Sequence, residues 1–259
     1  LNKRSLLIAV SQSGESIDVI EPVVSAKSRG TKIVSLVNVL GSTLYRISDM
    51  PILLNAGVEK GVASTKAFIS MVAHLILLSH SLADKQKEAK IIINNSAKEI
   101  ERILKKTLEI KKLAEKIKNN KNIYILGRGL NYPIALESAL KIKEISYIHA
   151  EGFAGGELKH GVIALVEKNT PVIVYIPDDE TKGSILSNAM EVKARGAYVI
   201  GVAAENNPVF DYFFEIKNVG ASSILPSVVF AQLLAYYLST ALNLNPDKPR
   251  NLAKSVVVR

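Results

Sequence analysis

One pattern occurs twice in the chain and limits what it can fold into: a short apolar run, a helix-length stretch, then a second apolar run opened by Arg-Gly. The first copy is Leu6-Leu7-Ile8-Ala9-Val10, a helix through Val24–Lys27, and the run up to Val37 that follows Arg29-Gly30. The second copy is Val172-Ile173-Val174-Tyr175-Ile176, a helix over Gly183–Lys193, and the run up to Val202 that follows Arg195-Gly196. The two Arg-Gly pairs stand 166 residues apart. Runs that are apolar at every position are strands buried on both faces. Their alternation with helices predicts parallel sheets covered by helices. Each copy closes on a long apolar helix, Ser64–Leu82 and Ser227–Leu242. The fold class is therefore α/β, with two doubly wound, flavodoxin-like domains.

The second copy also has an earlier part, the strand Ile123–Leu126, the turn Gly127-Arg128-Gly129 and a helix from Pro133 to Ile145. Nothing before Leu1 answers to it, so the sequence reads as beginning inside its first domain. The expected divisions are a first domain over 1–83, a Lys-rich helical linker over 84–121, a second domain over 122–243 and an irregular tail over 244–259. Most of the net charge of +9 falls in the linker region, where residues 85–122 hold twelve Lys/Arg against five Asp/Glu. Ile100, Leu104, Leu108, Ile110, Leu113 and Ile117 recur there at helical spacing, and charges fill the other face. No aromatic side chain is interleaved to stack on bases. This is a solvated helix and not a nucleic-acid footprint.

The chain has no cysteine, which excludes disulfides and thiol catalysis. Its four histidines lack ligand spacing, so no metal is expected. No run of about 18 or more uncharged, strictly apolar residues appears, so a membrane span is not expected. The compartment this suggests is the cytoplasm.

Three segments carry possible chemistry. Ser11-Gln12-Ser13-Gly14-Glu15-Ser16 follows a strand and opens a helix, a place where hydroxyls, backbone amides and the helix end can meet an anion. Lys254 stands in the tail among small and apolar residues, where a docked and desolvated amine could act as a nucleophile. Lys141 and Glu144 lie three apart on one helix, a spacing that faces an ammonium with a carboxylate able to move a proton. Gly127-Arg128-Gly129 opens like a dinucleotide fingerprint, but Tyr132 replaces its third glycine, so no nucleotide cofactor is expected.

Together with Gly61–Phe68 (GVASTKAF), Leu126–Gly161 (LGRGLNYPIALESALKIKEISYIHAEGFAGGELKHG) and Pro249–Val258 (PRNLAKSVVV), these segments resemble the isomerase half of the glutamine:fructose-6-phosphate amidotransferases. That half consists of two sugar isomerase (SIS) domains and a C-terminal tail. The resemblance implies that Ser11, Gln12, Ser13 and Ser16 hold the phosphate of fructose 6-phosphate. It implies that Val62, Ser64, Lys141 and Ala253 line the sugar site. Glu144 would move the proton between C1 and C2, His160 would assist ring opening, and Lys254 would form a Schiff base at C2. It further implies a homodimer with His160 reaching a neighbour's site, glucosamine 6-phosphate as product, and no cofactor. The ammonia would come from a glutaminase domain that has no counterpart in this sequence. The family's first strand, with the Gly-Thr-Ser turn after it, has none either. A related SIS isomerase or deaminase, or a non-catalytic sugar-phosphate sensor, would share the Ser-rich turn. A sensor would need neither base nor imine lysine, so Glu144, His160 and Lys254 together favour an enzyme.

Overall fold

The computed structural model describes residues 1–254; residues 255–259 of the expected tail lie outside the described residues. The chain divides into two compact units, residues 1–86 with the tail from Asp247, and residues 87–246.

The first unit holds β1 (Leu6–Ser11), α1 (Ile17–Ser28), β2 (Lys32–Val37), α2 (Thr43–Ile47), β3 (Met50–Leu53) and α3 (Lys66–Leu82). The strands form a parallel sheet in the order β1-β2-β3. Leu6 pairs with Lys32 and Ser11 with Val37, so β1 and β2 finish level. Parallel strands need a crossover, and α1 supplies it by burying Val23 and Ala26 against Ala9, Ile33, Val37 and Leu44. Each fully buried aliphatic side chain of this kind contributes about 1.5–3 kcal/mol. Leu6 and Ile8 of β1 remain exposed.

The second unit begins with α4 (Gln86–Leu104) and α5 (Thr107–Ile117). Then come β4 (Asn122–Gly127), α6 (Asn131–Ser146) and β5 (His149–Ala154). Two short 3₁₀ helices, Gly155–His160 and Val162–Leu165, lead into β6 (Pro171–Tyr175), α7 (Lys182–Lys193), β7 (Tyr198–Ala203), β8 (Tyr212–Glu215) and α8 (Ile224–Ala241). The five parallel strands run in the order β5-β4-β6-β7-β8. Every residue of β6 is buried, as its unbroken apolar run requires. An added Cβ at Gly127 would fall 2.1 Å from the Asn131 carbonyl oxygen, so this glycine lets α6 start hard against the end of β4. Its presence in the Gly-Arg-Gly turn is explained by packing.

Two features differ from the sequence reading. The Lys-rich stretch is two helices that belong to the second unit, with a break at Lys105-Lys106. The break rephases the apolar stripe: Ile103, Ile110, Leu113 and Ile117 are buried, α5 packing on α8, while Leu104 and Leu108 face solvent. The second difference is the stretch Gly220–Ala241. It is 22 residues long with a mean hydropathy of 1.5, long and apolar enough to cross a membrane by length and composition alone. The stretch has no charged residue, but its scattered Ser, Gln, Tyr and Thr keep it from being a strictly apolar run. In the fold it is a core helix, with Leu225, Val228, Phe230, Leu234 and Leu238 buried within the unit.

Candidate active site

In the first unit the Ser-rich turn sits at the carboxyl end of β1, where open parallel sheets bind their ligands. Gly14 adopts φ +68°, and a Cβ there would meet Ser42 at 2.2 Å, so the turn requires glycine at this point. The Ser11 hydroxyl accepts the Gly14 amide at 3.0 Å, and the Ser13 hydroxyl accepts the Glu15 amide at 3.1 Å. A hydroxyl that accepts still has its own proton to donate, so both serines can offer O–H groups to an anion. Ser16 occupies the N-cap of α1, and its side chain makes no cap hydrogen bond there. Glu15 points the other way: its carboxylate accepts the Thr43 amide at 2.7 Å, and this bond, more than nearby Arg46, holds its pKa below the usual value. Glu15 therefore braces the turn.

Asn38, just past β2, ties this turn to the next loop. Its amide donates to the Gln12 carbonyl at 3.1 Å, and its side chain accepts from Ala56 at 2.9 Å and donates to the Gly57 carbonyl at 2.9 Å. The loop continues through Glu59 to Val62, Ser64 and the N-terminus of α3. The tail returns onto this loop. The Asp247 carbonyl accepts the Val62 amide at 3.1 Å. The Lys254 ammonium donates to Glu59 Oε2 at 2.7 Å and to the Gly61 carbonyl at 2.8 Å. Only 4% of the Glu59 side chain is exposed. Burial alone would raise its pKa, but hydrogen bonds from Lys254, Thr65 and Ala67 outweigh that and hold the carboxyl below its usual range. Ala253 is exposed beside the docked lysine.

In the second unit, α6 carries a buried ion cluster. Lys141 Nζ lies 2.5 Å from Glu144 Oε2 and 3.6 Å from Glu137 Oε1. The lysine side chain is 4% exposed, Glu137 10% and Glu144 21%. One cation thus faces two carboxylates. Burial first, and then the charge of Glu144, push Glu137 up to about 7 against the pull of Lys141. Neither Glu137 Oε1 nor Glu144 Oε2 has a partner in hydrogen-bond geometry, so the Lys141 ammonium meets both as an ion pair. His160 ends the first 3₁₀ helix and is exposed, while Leu158 two residues earlier is buried. Among the described residues no hydrogen bond or ion pair joins it to the α6 cluster.

The candidate residues therefore fall into two sets. Ser11, Gln12, Ser13, Ser16, Val62, Ser64, Ala253 and Lys254 belong to the first unit; Lys141, Glu144 and His160 belong to the second. Sequence reasoning missed Glu59, Asn38 and Glu137. Glu137 was within reach, since it precedes Lys141 by one helical turn and Glu144 by two. Glu59 and Asn38 had no local signal, because their partners are distant in sequence.

A parallel-sheet unit with an anion-ready turn at its strand ends, followed by a second parallel-sheet unit, defines a class. The chain belongs to the SIS domain family, whose pattern matches residues 1–81 and 116–241. It is 43% identical to the glutamine–fructose-6-phosphate aminotransferase [isomerizing] of Thermotoga maritima, over 270 residues that take in 100% of this chain and 45% of that protein. It is 42% identical to the enzyme of the same name from Pyrococcus horikoshii, with 100% of this chain and 44% of that protein covered. Among solved structures, the C-terminal domain of glucosamine-fructose-6-phosphate aminotransferase from Francisella tularensis matches with a TM-score of 0.88 and 36% identity, covering 94% of this chain and 72% of that one. The chain spans less than half the length of the curated relatives it matches.

Proposed function

We propose that the chain carries the ketose-to-aldose chemistry of a glutamine–fructose-6-phosphate aminotransferase, turning fructose 6-phosphate and ammonia into glucosamine 6-phosphate. The observation that carries this reading is the docking of Lys254 on the 59–64 loop, in the same unit as the Ser-rich turn. A phosphate handle and an amine nucleophile in one small unit suit a phosphorylated carbonyl compound.

In this reading the hydroxyls of Ser11, Ser13 and Ser16 and the Gln12 side chain hold the phosphate, and Val62, Ser64, Ala253 and Lys141 contact the sugar. His160, supplied by the neighbour in a homodimer, assists ring opening. Lys254 as free amine adds to C2 of the open ketose, the C2 oxygen leaves as water, and a C2=N bond forms. Ammonia then displaces the lysine at C2. Glu144 takes a proton from C1, the electrons of that C–H bond form a C1=C2 enolamine as the C2=N pair moves onto the protonated nitrogen, and a proton is returned at C2. The C1 hydroxyl gives up its O–H proton as C1=O forms, and the amine stays on C2. No step needs a metal or an organic cofactor. A glutaminase domain would supply the ammonia, and the setting would be the cytoplasm.

Borohydride reduction in the presence of fructose 6-phosphate tests the reading. A sugar adduct on Lys254, located by peptide mass spectrometry, is the expected result. An adduct on another lysine, or none at saturating sugar, removes Lys254 from the mechanism. The dimer is tested by mixing His160→Ala and Lys254→Ala subunits. One site of the mixed dimer carries both lesions and the other none, so activity reappears if the histidine acts across the interface.

A further inference from the structure

The carboxylate of Glu59 has two separate tasks. Its Oε1 accepts the Thr65 amide at 2.7 Å, the Ala67 amide at 3.2 Å and the Thr65 hydroxyl at 3.2 Å, which closes the N-terminus of α3. A helix cap needs nothing more. Its Oε2 instead takes the Lys254 ammonium at 2.7 Å and the Ser64 hydroxyl at 3.4 Å. The oxygen bound to the helix fixes the plane of the carboxylate, and so fixes where the other oxygen points. Lys254 follows three exposed residues, Asn251, Leu252 and Ala253, so little apolar burial holds this part of the tail. A lysine on a flexible four-carbon stem samples many positions unless a partner selects one.

We propose that Glu59 is a positioning residue for the isomerase reaction: it latches the tail by Lys254 onto the loop that carries Val62 and Ser64, and so sets where the amine meets the sugar. The proposal rests on the reading of Lys254 as the imine-forming residue. Glu59 need not touch the sugar to act. It presents the amine and a sugar-contacting hydroxyl from one fixed group, which is how a surrounding shell preorganises reacting groups.

The test uses the Glu59→Gln and Lys254→Ala variants, two measurements and fructose 6-phosphate as the probe. At saturating sugar, Glu59→Gln is expected to slow borohydride trapping at Lys254 at least tenfold, while the affinity for a sugar-alcohol phosphate lacking the carbonyl changes less than threefold. Tryptic cleavage after Arg250 reads the latch directly, and it is expected to speed up to the same extent in Glu59→Gln and Lys254→Ala. Lys254→Ala leaves the α3 bonds of Glu59 in place, so faster cleavage there does not come from a damaged helix. Trapping at the wild-type rate or faster in a folded Glu59→Gln protein overturns the proposal; the faster rate would mean that the ion pair restrains the amine. If the wild-type chain shows no adduct on Lys254, it is the assignment of that lysine that falls. Cleavage then decides the latch: acceleration in both variants upholds it, and an unchanged rate overturns it.

Discussion

The two units repeat one pattern and put different chemistry at the same point of it. Moving 166 residues along the chain takes β2 onto β7, and the turn after β1 onto the turn after β6. In the first unit that turn reads Ser-Gln-Ser-Gly-Glu-Ser; in the second the corresponding residues are Pro177-Asp178-Asp179-Glu180-Thr181-Lys182. Asp178 accepts from Asn218 at 2.8 Å and pairs with Lys182 at 3.3 Å, and these bonds lower its pKa and keep it charged. A phosphate is stabilised by hydroxyl donors at a strand end and repelled by carboxylates there. The second turn borders a cavity of about 280 Å³ beside Val202 and Ser227, but its charge is wrong for a phosphate. The second unit's distinctive group lies instead on α6, where one lysine serves two carboxylates. A duplicated fold can thus repeat its strand–helix pattern and carry different polar groups: an anion-ready turn and a docked lysine in one unit, a buried lysine–carboxylate cluster in the other.

The sharpest way to break this division is to separate imine formation from proton transfer. Lys254→Ala should abolish the borohydride-trapped adduct and, with it, more than about 10³-fold of the isomerase activity. Glu144→Gln should leave the adduct intact while slowing deuterium exchange at C1 in heavy water by about 10²–10⁴-fold. Loss of the adduct in Glu144→Gln would mean that the second unit is needed for imine formation as well, and the division would not hold.

Glu137 offers a test of the second unit by itself. Its carboxyl titrates near 7 in the folded chain against 4.5 for the unperturbed group. A raised acid stabilises the fold most fully below pH 4.5, and that contribution disappears as pH rises through 7. The effect is of order 3 kcal/mol at most. Urea denaturation between pH 4.5 and 7.5 should therefore show a falling stability that flattens in Glu137→Gln. The same slope in both proteins would assign the titration to another group.

The smallest expected effect contrasts the two turns directly. Ser13→Ala should weaken fructose 6-phosphate binding about tenfold, the worth of one hydrogen bond to a charged group. Its counterpart Asp179→Ala should leave binding unchanged, as read by calorimetry. Equal losses from the two substitutions would show that the turns are structural caps and not a phosphate site set against its altered copy.

The sequence alone determined what depends on near neighbours. Strands apolar at every position, such as Val172–Tyr175, have no reading but burial on both faces, so the parallel sheets were legible. Lys141 and Glu144 were legible as a pair because a helix places residues three apart on one face. The Gly14 turn was legible because a strand that opens a helix must change direction there. Tertiary structure decided the rest. The Lys254–Glu59 bond joins residues 195 apart in sequence, and no local pattern encodes it. Ile103 is buried and Leu104 exposed just before the break at Lys105-Lys106, a choice between neighbouring apolar residues that no local pattern encodes. The uncharged stretch ending in α8 could have been read as a membrane span; it is a core helix because α5 and α6 cover it. Periodicity records which face of an element is apolar, and only the folded chain decides what that face, or a buried charge upon it, meets.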